Sequence, residues 1–546
     1  MSYLRALPSF LSASCSLFLL PSSLLFAQGN LNPPGAPASS MRTLSQLEPR
    51  TPLESLAGDS TALYVINFPG SYYISVGNVA GVTGKAAIAI NASGVSIDLN
   101  GFSLIGSGAA TRGIEIRGAY SNLAIRHGGI QGWTAAGIGL STASAPSGAV
   151  IEDVQIASVV GPGIDLTGGN AISVSRCTIT GAASGIIIGT NTGTVQGCAV
   201  SNLAGAGTRN VGIQAGSVTQ SDVNSVSGSG GSDAYGILAR VARGCSVTGI
   251  DSAGSGSSIG IQADTVTGCT ATTIGSTGSG VGEGIGGNTI STCTVTVVGN
   301  SASASVQYGI VGSGSVSDCT VLNVGDSSSS ALIYGIQADV ASRCRVASLA
   351  SKSSCTGIAA RVVTGSSATN LVHLGGATGS LTGINAERVS DSQVDSISAN
   401  STAPSVGIFA KRSVGGSTAS AVGNFGTGGS FGLDLGTGGA ADNCHVAGSS
   451  TAGIRAVSQA RVTQCEVSGP AMTTGIDCQA SGSFIDGNNI AGCATAIKAV
   501  GSTLVTRNHF TTSPGKINAA ATCQVGPTVN TTGVIGSTVS SANLTD

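Results

Sequence analysis

Two groups of residues in this chain have the types and spacing that chemistry needs. The first is a file of cysteines. Cys293, Cys319 and Cys344 stand at the fourth position of the phrases ISTCTV, VSDCTV and ASRCRV, and Cys177, Cys198, Cys245, Cys269, Cys444 and Cys465 recur at the same point of related phrases. Evenly recurring thiols can serve as metal ligands, as disulfides or as packing. Zinc fits poorly, because no C-x-x-C pair occurs and thiols in single file cannot surround one ion tetrahedrally. Bridges between adjacent repeats would meet the Cα separation of about 4.4–6.8 Å that a disulfide needs. Against bridges stand the odd number of cysteines in the file and their free replacement by Ser221, Ser366, Ser392 and Ser417. The file runs out to Asn100 at one end and to Asn488 and Asn508 at the other.

The second group lies near the N-terminus. His127 beside Asp153 is a candidate oriented base. Glu115 and Asp165 are candidate paired carboxylates, about 10 Å apart if two repeats separate them. That spacing is at or beyond the upper end for an inverting glycosidase. Arg117, Arg126 and Arg176 offer guanidinium forks for a sugar-acid carboxylate, and Trp133 is the only tryptophan. The candidate catalytic residues are therefore His127, Asp153, Glu115 and Asp165. The candidate substrate-binding residues are Arg117, Arg126, Arg176 and Trp133. A structural alternative is a surface charge ladder, with Asp98, Arg126 and Glu152 in one column, His127, Asp153 and Arg176 in the next, and Trp133 covering a turn.

What must position these residues is a repeat. Gly-Ile-x-Ala, or a near variant, begins at 18 points from Ala87 to Ala496, at intervals of 21 to 27 residues, each followed by Val-x-x-Cys-x-Val or its equivalent. The alternation of apolar and polar residues predicts strands, and the Gly/Ser/Thr spacers predict turns. Two or three short strands per period describe stacked coils about 4.8 Å apart. Residues at equivalent points of successive coils then become neighbours, so chemistry is to be sought down columns. Outward columns such as Asp339, Arg361, Glu387, Lys411 and Asp434, Arg455, Asp477, Lys498 alternate in charge and predict inter-coil ion pairs.

With GSYYISVGN (Gly70 to Asn78), INASGVSIDLNGFSLIG (Ile90 to Gly106) and IRHGGIQGW (Ile125 to Trp133), the chain resembles the right-handed parallel β-helix repeat superfamily, whose best-known enzymes are pectate lyases and polygalacturonases. The resemblance implies an all-β, right-handed parallel β-helix of about 18 coils. It transfers no catalytic residue. Polygalacturonases carry paired aspartates and a Gly-His-Gly phrase, where this chain has only His127-Gly128-Gly129. The acidic calcium cluster of pectate lyases has no counterpart.

Arg5 and the apolar stretch from Leu11 to Ala27 read as an export signal over residues 1–27. A Pro-rich linker and N-terminal cap over 28–70 follows, with a short helix carrying Met41, Leu44 and Leu47. The β-helix is expected over 71–510, and a C-terminal cap or tail over 511–546. Gly is 84 of 546 residues, 41% are hydrophobic and 9% charged, which favours many small-residue strands over disorder. A net charge of −2 without basic runs argues against nucleic acid, and no stretch after the signal is long enough to span a bilayer. Aromatics, at 3%, are too few for a long sugar-binding track. The expected protein is secreted, periplasmic or at the cell surface, with polysaccharide or cell-surface glycan as partner, and no metal or cofactor. It would act as a rigid scaffold, adhesin or carbohydrate-contact surface; the alternative is a polysaccharide lyase or glycoside hydrolase using the early-coil patch.

Overall fold

The Ile of the repeated phrase explains the architecture. A computed structural model describes residues 49–189, 192–276, 279–299, 306–325, 330–375, 379–530 and 541–545. The export signal and the short helix expected at Met41 to Leu47 lie outside the described residues. Within them, Ile88 pairs in parallel register with Ile114, Ile114 with Ile138 and Ile138 with Ile164. The file continues through Ile237, Ile261, Ile285, Ile310, Ile336 and Ile358 to Ile476, Ile497 and Ile517. Every named pairing is parallel, and about nineteen turns stack into one all-β solenoid. One short 3-10 helix, Leu53–Ser55, is the helical exception among the described residues. The repeat runs one strand further than its phrase at each end. Ala62–Ile66 pairs with Ala86–Ile90, and Gly515–Ala519 pairs with Thr495–Ala499.

The leading Gly of the phrase is there for space. At Gly309 a Cβ would lie 2.3 Å from Val321 Cγ1 and 2.5 Å from the Gly335 carbonyl oxygen, so the inward-facing backbone leaves no room for a methyl group. Ile310, Val316, Val321 and Val324 close the same coil with at most 1% exposure. Narrow coils of this kind use β-branched and small side chains because the opposite wall is close.

Before the strand that closes each of these coils the chain turns through a residue with left-handed φ, such as Arg176 (+52°), Gly244 (+59°), Asp318 (+54°) or Gly365 (+56°). The next residue points inward, and this is the position of the cysteine file. The Cys319 thiol accepts the backbone N–H of Cys293 from the coil below and donates to the Ser317 carbonyl. Ser366 does the same for Cys344 N–H, Ser392 for Ser366 and Ser417 for Ser392. Further up, Asn488 Oδ1 accepts the N–H of Cys465, and Asn508 Oδ1 that of Asn488. The thirteen cysteines among the described residues are unbridged, and all but Cys523 are buried.

At the N-terminal end the expected asparagine is displaced. Leu99 fills the inward position with 0% exposure, whereas Asn100 is exposed and itself takes the left-handed turn at +53°. The first coil carries two more residues than the second between the paired strands, since Asp98 stands opposite Arg126 while Ser103 stands opposite Gly129. The C-terminal end instead gains a rung. Asn543 is fully buried and accepts the N–H of Asn508, and its strand Asn543–Thr545 pairs with His509–Thr511.

Candidate functional site

The early-coil residues sit where the columns put them, but they form two separate ion-pair groups. In the first, Asp98, Arg126 and Glu152 are register partners on successive strands. His127, Asp153 and Arg176 occupy the left-handed turn that follows, at φ of +57°, +55° and +52°. The turn throws their side chains outward and stacks them. His127 Nδ1 lies 3.3 Å from Asp98 Oδ1, and its Nε2 is 3.9 Å from Asp153 Oδ2. Arg176 grips Asp153 with both fork positions, at 2.8 and 2.7 Å, and reaches Glu152 at 3.2 Å. Arg126 completes the chain at 3.6 Å from Glu152. The hydrogen-bonded Arg176 guanidinium holds the Asp153 carboxyl below the usual carboxylate range.

The second group stands on the Gly-Ile-x-Ala face. Glu115 is 7% exposed and takes Arg117 Nε at 2.7 Å on one oxygen and Arg112 at 3.2 Å on the other. Arg117 continues to Asp59 at 2.6 Å and to Thr61 Oγ1 at 2.7 Å. The Arg117 hydrogen bond drives the Asp59 carboxyl far below its ordinary value. Asp165 shares the Glu115 column, separated by Gly139, but is spent locally on the N–H and hydroxyl of Thr167. Among the described residues no hydrogen bond or ion pair joins Glu115, Arg117 or Asp165 to His127, Asp153 or Arg176. A shallow depression of about 390 Å³ borders Arg126 together with Val95, Ala124 and Val150, and neither His127 nor Asp153 lines it.

Trp133 is a correction. As a candidate substrate-binding residue it would need an exposed ring, yet it is 0% exposed and its Nε1 donates to the Leu104 carbonyl at 3.1 Å. It follows the left-handed Gly132, in the inward position that Val159 and Ala182 take in the next coils. The indole fills space left by Gly81 and Gly106, where an added Cβ would meet it at about 3 Å. A large ring is buried here because these glycines make room for it.

The charge columns further along also form pairs. Arg361 binds Asp339 at 2.8 Å, Arg343 binds Asp318 at 2.6 Å, and Lys498 lies 3.4 Å from Asp477. Arg455 pairs with Asp434 and stacks over Phe431 at 3.9 Å. Glu387 departs from the expected column, bonding Arg412 at 3.2 Å rather than Lys411. Groups of three or more His, Cys, Asp or Glu able to hold a metal do not occur among the described residues, and no helix there is long and apolar enough to cross a membrane.

One polar cluster escaped the column reading because it precedes the repeated phrase. The residue before Gly-Ile is Tyr235, Ile259, Glu283, Tyr308 and Tyr334 in five successive coils, each the register partner of the last. Tyr308 and Tyr334 stack with ring centroids 5.4 Å apart and planes 15° from parallel. Three of the eight tyrosines stand in this file, and Tyr308 and Tyr334 lie together. Glu283 differs from the early-coil acids, since no ion pair or hydrogen bond reaches it among the described residues. Loss of solvent lifts its carboxyl to about 7. The signal was available in DAYGI, GEGI, QYGI and IYGI, read at the position before the glycine.

No protein-family model and no curated protein matches the chain. Among solved structures it is similar to the mannuronan C-5 epimerase AlgE4 A-module of Azotobacter vinelandii, at 11% identity over 79% of this chain and 88% of that chain, with a TM-score of 0.18. It is similar to tailspike protein 3 of bacteriophage CBA120 at 10% identity, over 90% of this chain and 65% of that chain, with a TM-score of 0.16. A tailspike of E. coli bacteriophage HK620 in complex with a pentasaccharide gives 11% identity, 88% and 71% coverage, and a TM-score of 0.19.

Proposed function

We propose that this protein is an exported, non-catalytic scaffold whose outward sheet face contacts carbohydrate. The observation that carries this reading is how the charges are used. The early-coil carboxylates of Glu115, Glu152 and Asp153 each face an arginine, Glu115 within its own coil and the other two through Arg176 of the next coil. An acid already neutralised by a bidentate guanidinium is a poor proton acceptor, since its folded-state proton affinity is lowered. Regular coils without long insertions fit a presenting surface better than a closed cleft.

The test is incubation of the mature protein with acidic and neutral polysaccharides, following binding, unsaturated products and new reducing ends. The expected result is binding without turnover. Turnover that disappears in Asp153→Ala would replace this reading with a lyase or hydrolase acting at His127 and Asp153. Recovery of the protein in the cytoplasmic fraction of its host would refute export.

A further inference from the structure

We infer that the strip formed by Tyr235, Glu283, Tyr308 and Tyr334 with Gln262 and Gln337 binds a neutral glycan chain lying along the coil stack. The inference deepens the carbohydrate-contact reading and rests on it. Two outward files make the strip. The first is Tyr235, Ile259, Glu283, Tyr308 and Tyr334, and the second is Leu238, Gln262, Gly286, Val311 and Gln337, each residue in register with the next. Five rungs span about 19 Å at the spacing of parallel strands.

The chemistry is that of sugar recognition. Phenol rings offer apolar faces to the C–H side of a pyranose, and amide and carboxyl groups satisfy hydroxyls. Tyr334 presents the last ring of the stack, because its partner in the next coil is the small Thr356. Two coils below, Gly286 creates a notch. A Cβ there would lie 1.8 Å from Glu283 Oε1 and 2.7 Å from Gln262 Oε1, so these two side chains converge above the bare backbone.

The charge distribution selects the class of glycan. None of the ten residues in the two files is cationic. At the lower end the Arg209 guanidinium is stacked on Tyr235, 5.2 Å from its ring centre, and the exposed Arg240 lies two residues beyond Leu238, outside both files. The titratable groups that feel the Glu283 charge are Tyr308 and Tyr235. A uronate polymer would therefore meet an unpaired carboxyl at the centre of the strip and no cation in either file, so its desolvation there would go uncompensated. A neutral chain carries no such penalty.

Calorimetric titration of the mature protein with cellohexaose, chitohexaose and hexagalacturonate tests the inference. At least one neutral hexasaccharide should bind, with affinity falling about tenfold in Tyr334→Ala and in Gln262→Ala, while Lys498→Ala, at an ion pair outside the strip and the early coils, leaves it unchanged. Both substituted side chains are outward, and circular dichroism checks that the variants fold. Neutral binding that survives both substitutions overturns the strip but leaves carbohydrate contact standing. Tighter binding of hexagalacturonate than of either neutral sugar overturns the inferred selectivity. Absence of binding to all three removes the strip and the carbohydrate reading together.

Discussion

At the residue scale, the recurring cysteine is explained by a backbone requirement. A left-handed turn leaves the N–H of the following residue pointing along the stack, and a buried N–H without a partner is costly. The side chain one coil up must be short and must carry an acceptor. Cys, Ser and Asn meet both conditions, which is why Cys319, Ser366 and Asn488 occupy equivalent places. Burial also raises the Cys344 thiol to about 11, so it stays protonated and unreactive at neutral pH. Glu283 is the residue whose ionisation should register in stability. Its carboxyl titrates near 7 when folded against 4.5 as the unperturbed value, so the folded state binds the proton more tightly. The Glu283 contribution to stability is therefore fully present below pH 4.5, is lost as pH rises from 4.5 to about 7, and stays lost above. Glu283→Gln should raise the melting temperature relative to the parent at pH 8 but not at pH 4, which thermal scans at the two pH values would check.

At the element scale, the Gly-Ile-x-Ala strand combines an obligatory gap with an obligatory filler. The glycine lets the backbone approach the opposite wall, and the isoleucine plugs the coil centre. Gly309→Ala should cost about 1–3 kcal/mol through overpacking against Val321 and the Gly335 carbonyl. Its melting temperature should drop accordingly, with no change at an outward position such as Ser313→Ala. The strands also decide which charges meet. Register brings Arg361 onto Asp339, but a bulge between Ala386 and Arg388 shifts the next pairing, and Glu387 reaches Arg412 instead of Lys411. Simple repeat counting cannot see a bulge, because inserting one residue leaves the surrounding phrases intact.

At the scale of the whole molecule, the described solenoid is quasi-one-dimensional, each coil touching mainly its neighbours. Deleting residues 308–333, one full register step from Tyr308 to its partner Tyr334, should leave a folded, cooperatively melting protein, because Glu283 would then pair with Tyr334. Loss of the far-ultraviolet β signal in that variant would refute independent stacking. What the sequence determined by itself is the repeat, hence the parallel coils, the inward Ile file and the columns holding Asp98, Arg126, Glu152 and His127, Asp153, Arg176. A period read along the chain is enough for these, since stacking turns period into neighbourhood. The tertiary structure alone decided that Trp133 is buried, that Leu99 displaces Asn100, and that Asn543 supplies a late rung from a stretch without the repeated phrase. It also decided that Arg117 reaches Asp59 and that Glu283 lies in the notch of Gly286 without a cation. Side-chain direction, coil-length variation and the space beside each glycine set those outcomes, and none of them has a period.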